Sequence, residues 1–250
     1  MSRAVVFLSG KGGTGKTTTV ACVGSYLVRA GLSVICIDAD PLGGLDIALG
    51  ATAPLYDLVD AVNNLCPLRY TLVDVRASER ALDEGVFRYA RLGDGLTEAE
   101  FESVAGSLKQ CCDWLLIDAP AGLDTAYPAD LVIYVVNADV MNYRAASAIR
   151  QAAGRRDSLL IVNRVRRKAL RRYNTTLDDA IDGVGAMLLG YVPEDFNVAL
   201  ATMKGTPLAF YNKQSGESSG QKAYKMIVKR LLDKYGHNAE SHSETIDIDE

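Results

Sequence analysis

The chain lacks the marks of several protein classes. Among its 250 residues no run of 18 or more apolar residues occurs, so no segment is expected to span a bilayer. The opening run Ala4-Val5-Val6-Phe7-Leu8 is too short for a signal peptide and leads into glycines, not a cleavage site, so a cytoplasmic protein is expected. Five cysteines (Cys22, Cys36, Cys66, Cys111, Cys112) are odd in number and without C-x-x-C spacing, which argues against a disulfide framework or a zinc site. The adjacent Cys111-Cys112 reads as small buried side chains or, less simply, as a reactive pair. The two histidines, His237 and His242, lie near the end and read as incidental, not as metal ligands. Lysine and arginine are absent from residues 236–250, where five acids give a charge of −5 and leave +1 for the rest. That stretch is polar and poor in core-forming residues, and reads as a disordered acidic tail behind one domain over residues 1–235.

What remains is a chain with 48% hydrophobic and 23% charged residues, enough for a full core. Short apolar runs rich in β-branched residues occur at Arg3–Ser9, Ser33–Asp38, Asp113–Asp118, Asp130–Asn137 and Asp157–Asn163, with a further candidate at Gly185–Val192. They are near-continuous, not alternating, as strands are when helices cover both faces of a parallel sheet. Helical segments lie between them, at about Lys16–Ala30, Leu55–Asn64, Thr97–Gln110, Met141–Gly154 and Gly220–Tyr235. The alternation predicts an α/β fold: a doubly wound, mainly parallel sheet whose sites gather at the carboxyl ends of the strands.

The first strand runs into Gly10-Lys11-Gly12-Gly13-Thr14-Gly15-Lys16-Thr17, which satisfies G-x-x-x-x-G-K-[ST] between a strand and a helix. Glycines let several N–H groups converge on a phosphate, and the following helix offers its positive end to the same anion. Lys16 is placed to reach β- and γ-phosphate oxygens, and the Thr17 hydroxyl to ligate Mg²⁺. Asp118 closes an apolar strand, the Walker B arrangement, and is expected to bind Mg²⁺ through water. Two further acids, Asp38 and Asp40, close the second strand before Pro41.

Lys11 to Thr18 carries K-G-G-x-G-K-[ST]-T in full and resembles the deviant Walker A signature of the MinD/ParA family of P-loop ATPases, a SIMIBI-type group. Asp38-Ala39-Asp40 resembles that family's first switch, and Asp118-Ala119-Pro120-Ala121-Gly122 its second. Asn163-Arg164 is similar to its base-contacting pair, and Pro193-Glu194-Asp195 to its loop beside the adenine. The likeness covers about residues 3–235. It implies an Mg²⁺-dependent ATPase, slow and partner-stimulated, that forms a homodimer when ATP is bound. Lys11 would cross to the partner's phosphates, Asp38 hold a metal-bound water, Asp40 orient the attacking water, and Gly122 offer its N–H to the γ-phosphate.

Three departures narrow what the resemblance carries. Leu42-Gly43-Gly44-Leu45-Asp46 is shorter and more glycine-rich than MinD's switch I, and looks closer to septum-site or pilus-positioning relatives of the TadZ/CpaE branch. Arg144-Ala145 stands where MinD has an Arg followed by the acid that meets the signature lysine. The end of the chain is acidic where bacterial MinD has a basic amphipathic membrane anchor, and an acidic tail is repelled by anionic lipid. Six cations, Arg164, Arg166, Arg167, Lys168, Arg171 and Arg172, fall within nine residues. They read as a solvated face or as a patch for DNA backbone, anionic lipid or an acidic partner. The expected function is therefore a MinD-like spatial regulator of the division site or of polar or pilus machinery, meeting a protein landmark or a membrane. The alternatives are a ParA-like DNA-partitioning ATPase and a cluster-assembly or metal-insertion ATPase of the same superfamily.

Overall fold

The structure, a computed structural model, describes residues 2–75, 85–122, 127–153, 158–166, 176–211 and 216–236. Its strands are β1 (Arg3–Leu8), β2 (Val34–Asp38), β3 (Val73–Asp74), β4 (Phe87–Arg91), β5 (Trp114–Asp118), β6 (Leu131–Asn137), β7 (Ser158–Val165) and β8 (Met187–Pro193). The helices are α1 (Lys16–Arg29), α2 (Leu45–Leu49), α3 (Leu58–Val62), α4 (Glu98–Lys109), α5 (Val140–Ala153), α6 (Leu177–Val184), α7 (Phe196–Met203) and α8 (Ser219–Tyr235). The eight strands form one sheet in the order β3-β4-β2-β5-β1-β6-β7-β8, parallel except for the edge pair β3–β4.

The apolar runs are continuous because alternate residues feed two cores. On β1, Val5 and Phe7 pack with residues of α1, α2 and α8, while Val6 and Leu8 pack with residues of α3, α4, α5 and α6 on the opposite face. Caps set most helix starts. Thr97 with Glu100, Thr176 with Asp179 and Ser218 with Gln221 make reciprocal capping boxes at α4, α6 and α8.

The sequence reading needs correction at the flank of the sheet. It has no strand at Val73–Asp74 or Phe87–Arg91, yet β4 pairs with β2 along its full length and β3 turns the edge antiparallel. The Arg88 and Arg91 side chains interrupt β4's apolar pattern, although Phe87, Tyr89 and Ala90 are buried. Short α2, α6 and α7 are also additional, and the segment expected as a helix over Leu55–Asn64 is helical only from Leu58 to Val62, after an Asp57–Asp60 capping box. Of the expected tail, residues 236–250, all but Gly236 lie outside the described residues, as do Arg167, Lys168, Arg171 and Arg172 of the basic cluster.

Candidate nucleotide site

Five chain segments meet at the carboxyl edge of the sheet. Between β1 and α1, Gly13 and Gly15 take left-handed backbone angles (φ 77° and 84°), which curl the loop. Gly15 is also the N-cap of α1. That helix has no side-chain cap and no acid in its first turn, so its N-terminal N–H groups are left for an anion. Space is equally restrictive: a Cβ on Gly15 would fall 2.3 Å from Asn163 Nδ2, and one on Gly10 would fall 2.5 Å from the Ala145 backbone carbonyl carbon. Ala145 thus packs α5 directly against the loop.

Lys16 is the loop's buried cation and forms an ion pair with Asp118 at the end of β5. Burial raises the Asp118 carboxyl above its ordinary range, and the Lys16 charge opposes that shift. The Thr17 hydroxyl also lowers the carboxyl by hydrogen bonding, while the second oxygen, Oδ2, is buried with no hydrogen-bond partner among the described residues, a costly arrangement unless a cation or its water takes it up. Asp38, beside Asp118 in the β2–β5 register, is also buried. Its Oδ2 accepts from Leu45 N (3.0 Å) and its Oδ1 from Asp40 N (3.2 Å), yet burial pushes its carboxyl up to about 6. Asp40 is half-buried and turns the first switch by accepting from Leu42 N at 3.0 Å. Thr17 is half-buried at the head of α1. One orphaned carboxylate oxygen, a neighbouring acid and a hydroxyl fit a hydrated Mg²⁺, and the uncapped helix with Lys16 fits the phosphates that accompany it.

The other side of β1 holds a cavity of about 620 Å³, reached past Gly15 and Thr18 and lined by Asn163, Arg164, Pro193, Phe196 and Met203. It adjoins the phosphate loop and is large enough for a nucleoside. Here the expected base contacts prove partly structural. Asn163 donates from Nδ2 to Thr14 O (2.8 Å) and accepts Arg164 N at Oδ1 (2.9 Å), so its amide braces the loop while facing the cavity. Arg164, in a left-handed conformation (φ 51°), donates to Gly13 O at 3.0 Å. Glu194 is ion-paired with Arg166. Asp195 caps α7 through Asn197 N (2.8 Å) and accepts from Gly220 N (2.7 Å) and Ser219 Oγ (2.9 Å) at the start of α8. Burial works to raise the Asp195 carboxyl, but these donors outweigh it and hold the group well below the usual carboxylate range.

Two expected residues are placed without a ligand-ready partner. Lys11 is exposed. The Gly122 N–H, expected at the γ-phosphate, donates instead to Ser9 O at 2.9 Å. Sequence reasoning missed Phe196, which lies 72% exposed on the cavity's lip. It also missed Tyr224, whose buried hydroxyl lies 3.1 Å from Thr19 Oγ1, itself a donor to Gly15 O at 2.9 Å. An aromatic at the mouth of a base-sized cavity is a readable signal; a link between α8 and the loop is not. Cys111 is exposed, whereas Cys112 is buried and its thiol is pushed up to about 12 by that burial, so the two do not present a thiol pair.

A loop that cradles phosphate on an uncapped helix, with paired acids on one flank and a nucleoside-sized cavity on the other, defines a P-loop nucleotide-binding protein. Comparison with known proteins narrows this class. Residues 5–208 match the CobQ/CobB/MinD/ParA nucleotide binding domain. The septum site-determining protein MinD of Bacillus subtilis is 31% identical over 248 residues, covering 93% of this chain and 90% of that protein. The structure of the MinC:MinD cell division protein complex from Aquifex aeolicus superposes with a TM-score of 0.80 at 26% identity, covering 98% of this chain and 99% of that one. The septum site-determining protein MinD from Pyrococcus horikoshii, complexed with Mg-ADP, has the same fold, with a TM-score of 0.79 at 24% identity over 94% of this chain and 98% of that one. This chain belongs to the MinD/ParA family of nucleotide-binding proteins, on its MinD side.

Proposed function

We propose that the chain is a MinD-type ATPase that positions the cell-division machinery through an ATP-dependent homodimer. The observation that carries this reading is the buried Lys16–Asp118 pair at the head of the glycine loop, with Asp118 Oδ2 left without a partner among the described residues. Without nucleotide the two charges neutralise each other. With Mg·ATP, Lys16 would hold the β- and γ-phosphate oxygens, while Thr17, Asp38 and Asp118 would hold the metal and its waters. Bound Mg²⁺ supplies neutralisation of the charge that develops during phosphoryl transfer. Asp40, free on its solvent side, orients the attacking water. The exposed Lys11 would reach a second protomer's phosphates, and Gly122 would exchange Ser9 O for the γ-phosphate, so that the second switch registers ATP.

Asn163, Arg164 and Phe196 frame the base, and turnover is slow until a protein partner engages the dimer. A division-site partner is supported by the septum-site role of the Bacillus subtilis relative and by the likeness to the MinC:MinD complex of Aquifex aeolicus. Among the described residues no helix is long and apolar enough to cross a membrane, so a membrane would be met at a surface or through a partner. The DNA-partitioning reading is weaker, because Arg166 is paired with Glu194 and Arg164 points to the loop. The cluster-assembly reading loses its thiol pair at Cys111-Cys112.

Light scattering after size exclusion tests the proposal. Asp40→Ala with Mg·ATP should run as a dimer, and with Mg·ADP as a monomer. Lys16→Ala should bind neither nucleotide. A monomer in both nucleotide states would sink the switch reading; unchanged ATP affinity in Lys16→Ala would sink the site.

A further inference from the structure

Away from the nucleotide edge, α1 and α8 enclose a groove of about 330 Å³ between Arg29 at the end of one helix and Lys225 and Lys229 on the other. Its floor is apolar, from Tyr26, Ala30, Val228 and Leu232. Lys222, Lys225 and Lys229 are exposed at i, i+3 and i+7, which aligns three ammonium groups along one side of α8. Little on the fold neutralises them. Lys225 has Glu217 at 3.2 Å, an exposed pair of small value, and Asp233 sits at the groove's end; Lys229 has no ion pair among the described residues. Arg29 spends one N–H on Ala209 O (2.8 Å) and meets no carboxylate.

We propose that this groove is the docking site for the chain's own acidic end, residues 244–250. The charges are complementary: residues 236–250 carry −5 with no lysine or arginine. The apolar chemistry matches too. Ile246 and Ile248 are the large aliphatic residues of that stretch, and they alternate with Asp247 and Asp249. In extended backbone the isoleucines share one side, toward the floor, and the acids the other, toward the lysine rim. The length suffices. Lys225 lies about 16 Å back along α8 from Gly236 at 1.5 Å per residue, and the ten residues to Ile246 span up to about 33 Å.

Zero-length carbodiimide coupling of the full-length, nucleotide-free protein tests this, because it joins only amines and carboxylates already in contact, with loss of water. Peptide mapping of the monomer band should find Lys225 or Lys229 joined to Glu244, Asp247, Asp249 or Glu250. Changing Ile246→Ser and Ile248→Ser together leaves every charge and the folded domain intact, and should lower that yield about fivefold, the effect of losing part of two apolar anchors. Three results would overturn the proposal: links spread evenly over Lys109, Lys204 and the α8 lysines, no response to the isoleucine changes, or links confined to a covalent dimer, which would place the acidic end on a second copy. None of these depends on nucleotide, so the outcome is independent of the ATPase reading.

Discussion

At the scale of single residues, the site is a set of charges stored out of water. Lys16 and Asp118 neutralise each other, but Asp38 has no cation of its own in contact, and burial lifts its carboxyl to about 6. Its ordinary value is 3.8. Between those values the folded protein binds more protons than the unfolded chain, so this residue's contribution to stability falls as pH rises through that window. At neutral pH Asp38 is ionised at a cost in burial that a bound cation would relieve. Asp38→Asn should therefore raise the melting temperature of the nucleotide-free protein at pH 7, with the gain vanishing near pH 4. The same change should abolish Mg²⁺-dependent turnover, a trade of activity for stability. Calorimetry across pH checks it; a melting temperature that falls at pH 7 would mean that Asp38 is held for the fold instead.

At the scale of elements, Asp195 shows how a residue expected beside the base serves first as a clamp. It ties the start of α7 to the start of α8, and α7 is one wall of the nucleoside cavity. Asp195→Ala should cost about 2 kcal/mol, the sum of a lost cap and a lost charged hydrogen bond, and should weaken nucleotide binding without removing it. Because the carboxyl is held below its usual range, this stabilisation is present at neutral pH and is lost as acid protonates the group. Urea melts of both proteins should differ at pH 7 and still differ at pH 3, because the group protonates only in stronger acid; convergence already at pH 3 would mean that these donors do not hold the carboxylate. How far the elements were legible follows the same logic of context. Buried strands such as Trp114–Asp118 announce themselves because both faces are apolar, and the glycine loop does so because its residue types admit few other uses. Phe87–Arg91 was not legible, since two arginines sit in a strand whose burial comes from α1 and the β2 pairing. Helices of five or eight residues, such as Leu45–Leu49 and Phe196–Met203, are too short to display a period and owe their existence to tertiary contacts. The loop acids and Lys16 were placed correctly at one edge. The bracing roles of Asn163, Arg164 and Asp195 were not readable, because a hydrogen bond to a distant backbone carbonyl leaves no mark on spacing.

At the scale of the whole molecule, nucleotide and fold are linked by mass action. A ligand that binds only the folded chain should stabilise it by about 2.7 kcal/mol at a hundred times its dissociation constant, so the melting temperature should climb with Mg·ATP concentration in the wild type and stay flat in Lys16→Ala. The strand order gives that linkage a further meaning. Strands β1 to β5 occupy one side of the sheet and β6 to β8 the other, and within the sheet they join where Val5–Leu8 of β1 pair with Leu131–Tyr134 of β6. The acids that handle phosphate and metal belong to the first piece, while Asn163, Arg164 and the cavity wall belong to the second. In order of synthesis the chain thus holds a loop-and-acid piece and a cavity-wall piece, tied together by the Asn163 and Arg164 hydrogen bonds to the loop and by Tyr224 against Thr19, and a bound nucleotide would span both. A chain cut between β5 and β6 should reassemble through the β1–β6 pairing and the two shared cores, and nucleotide should tighten the complex by binding only the joined form.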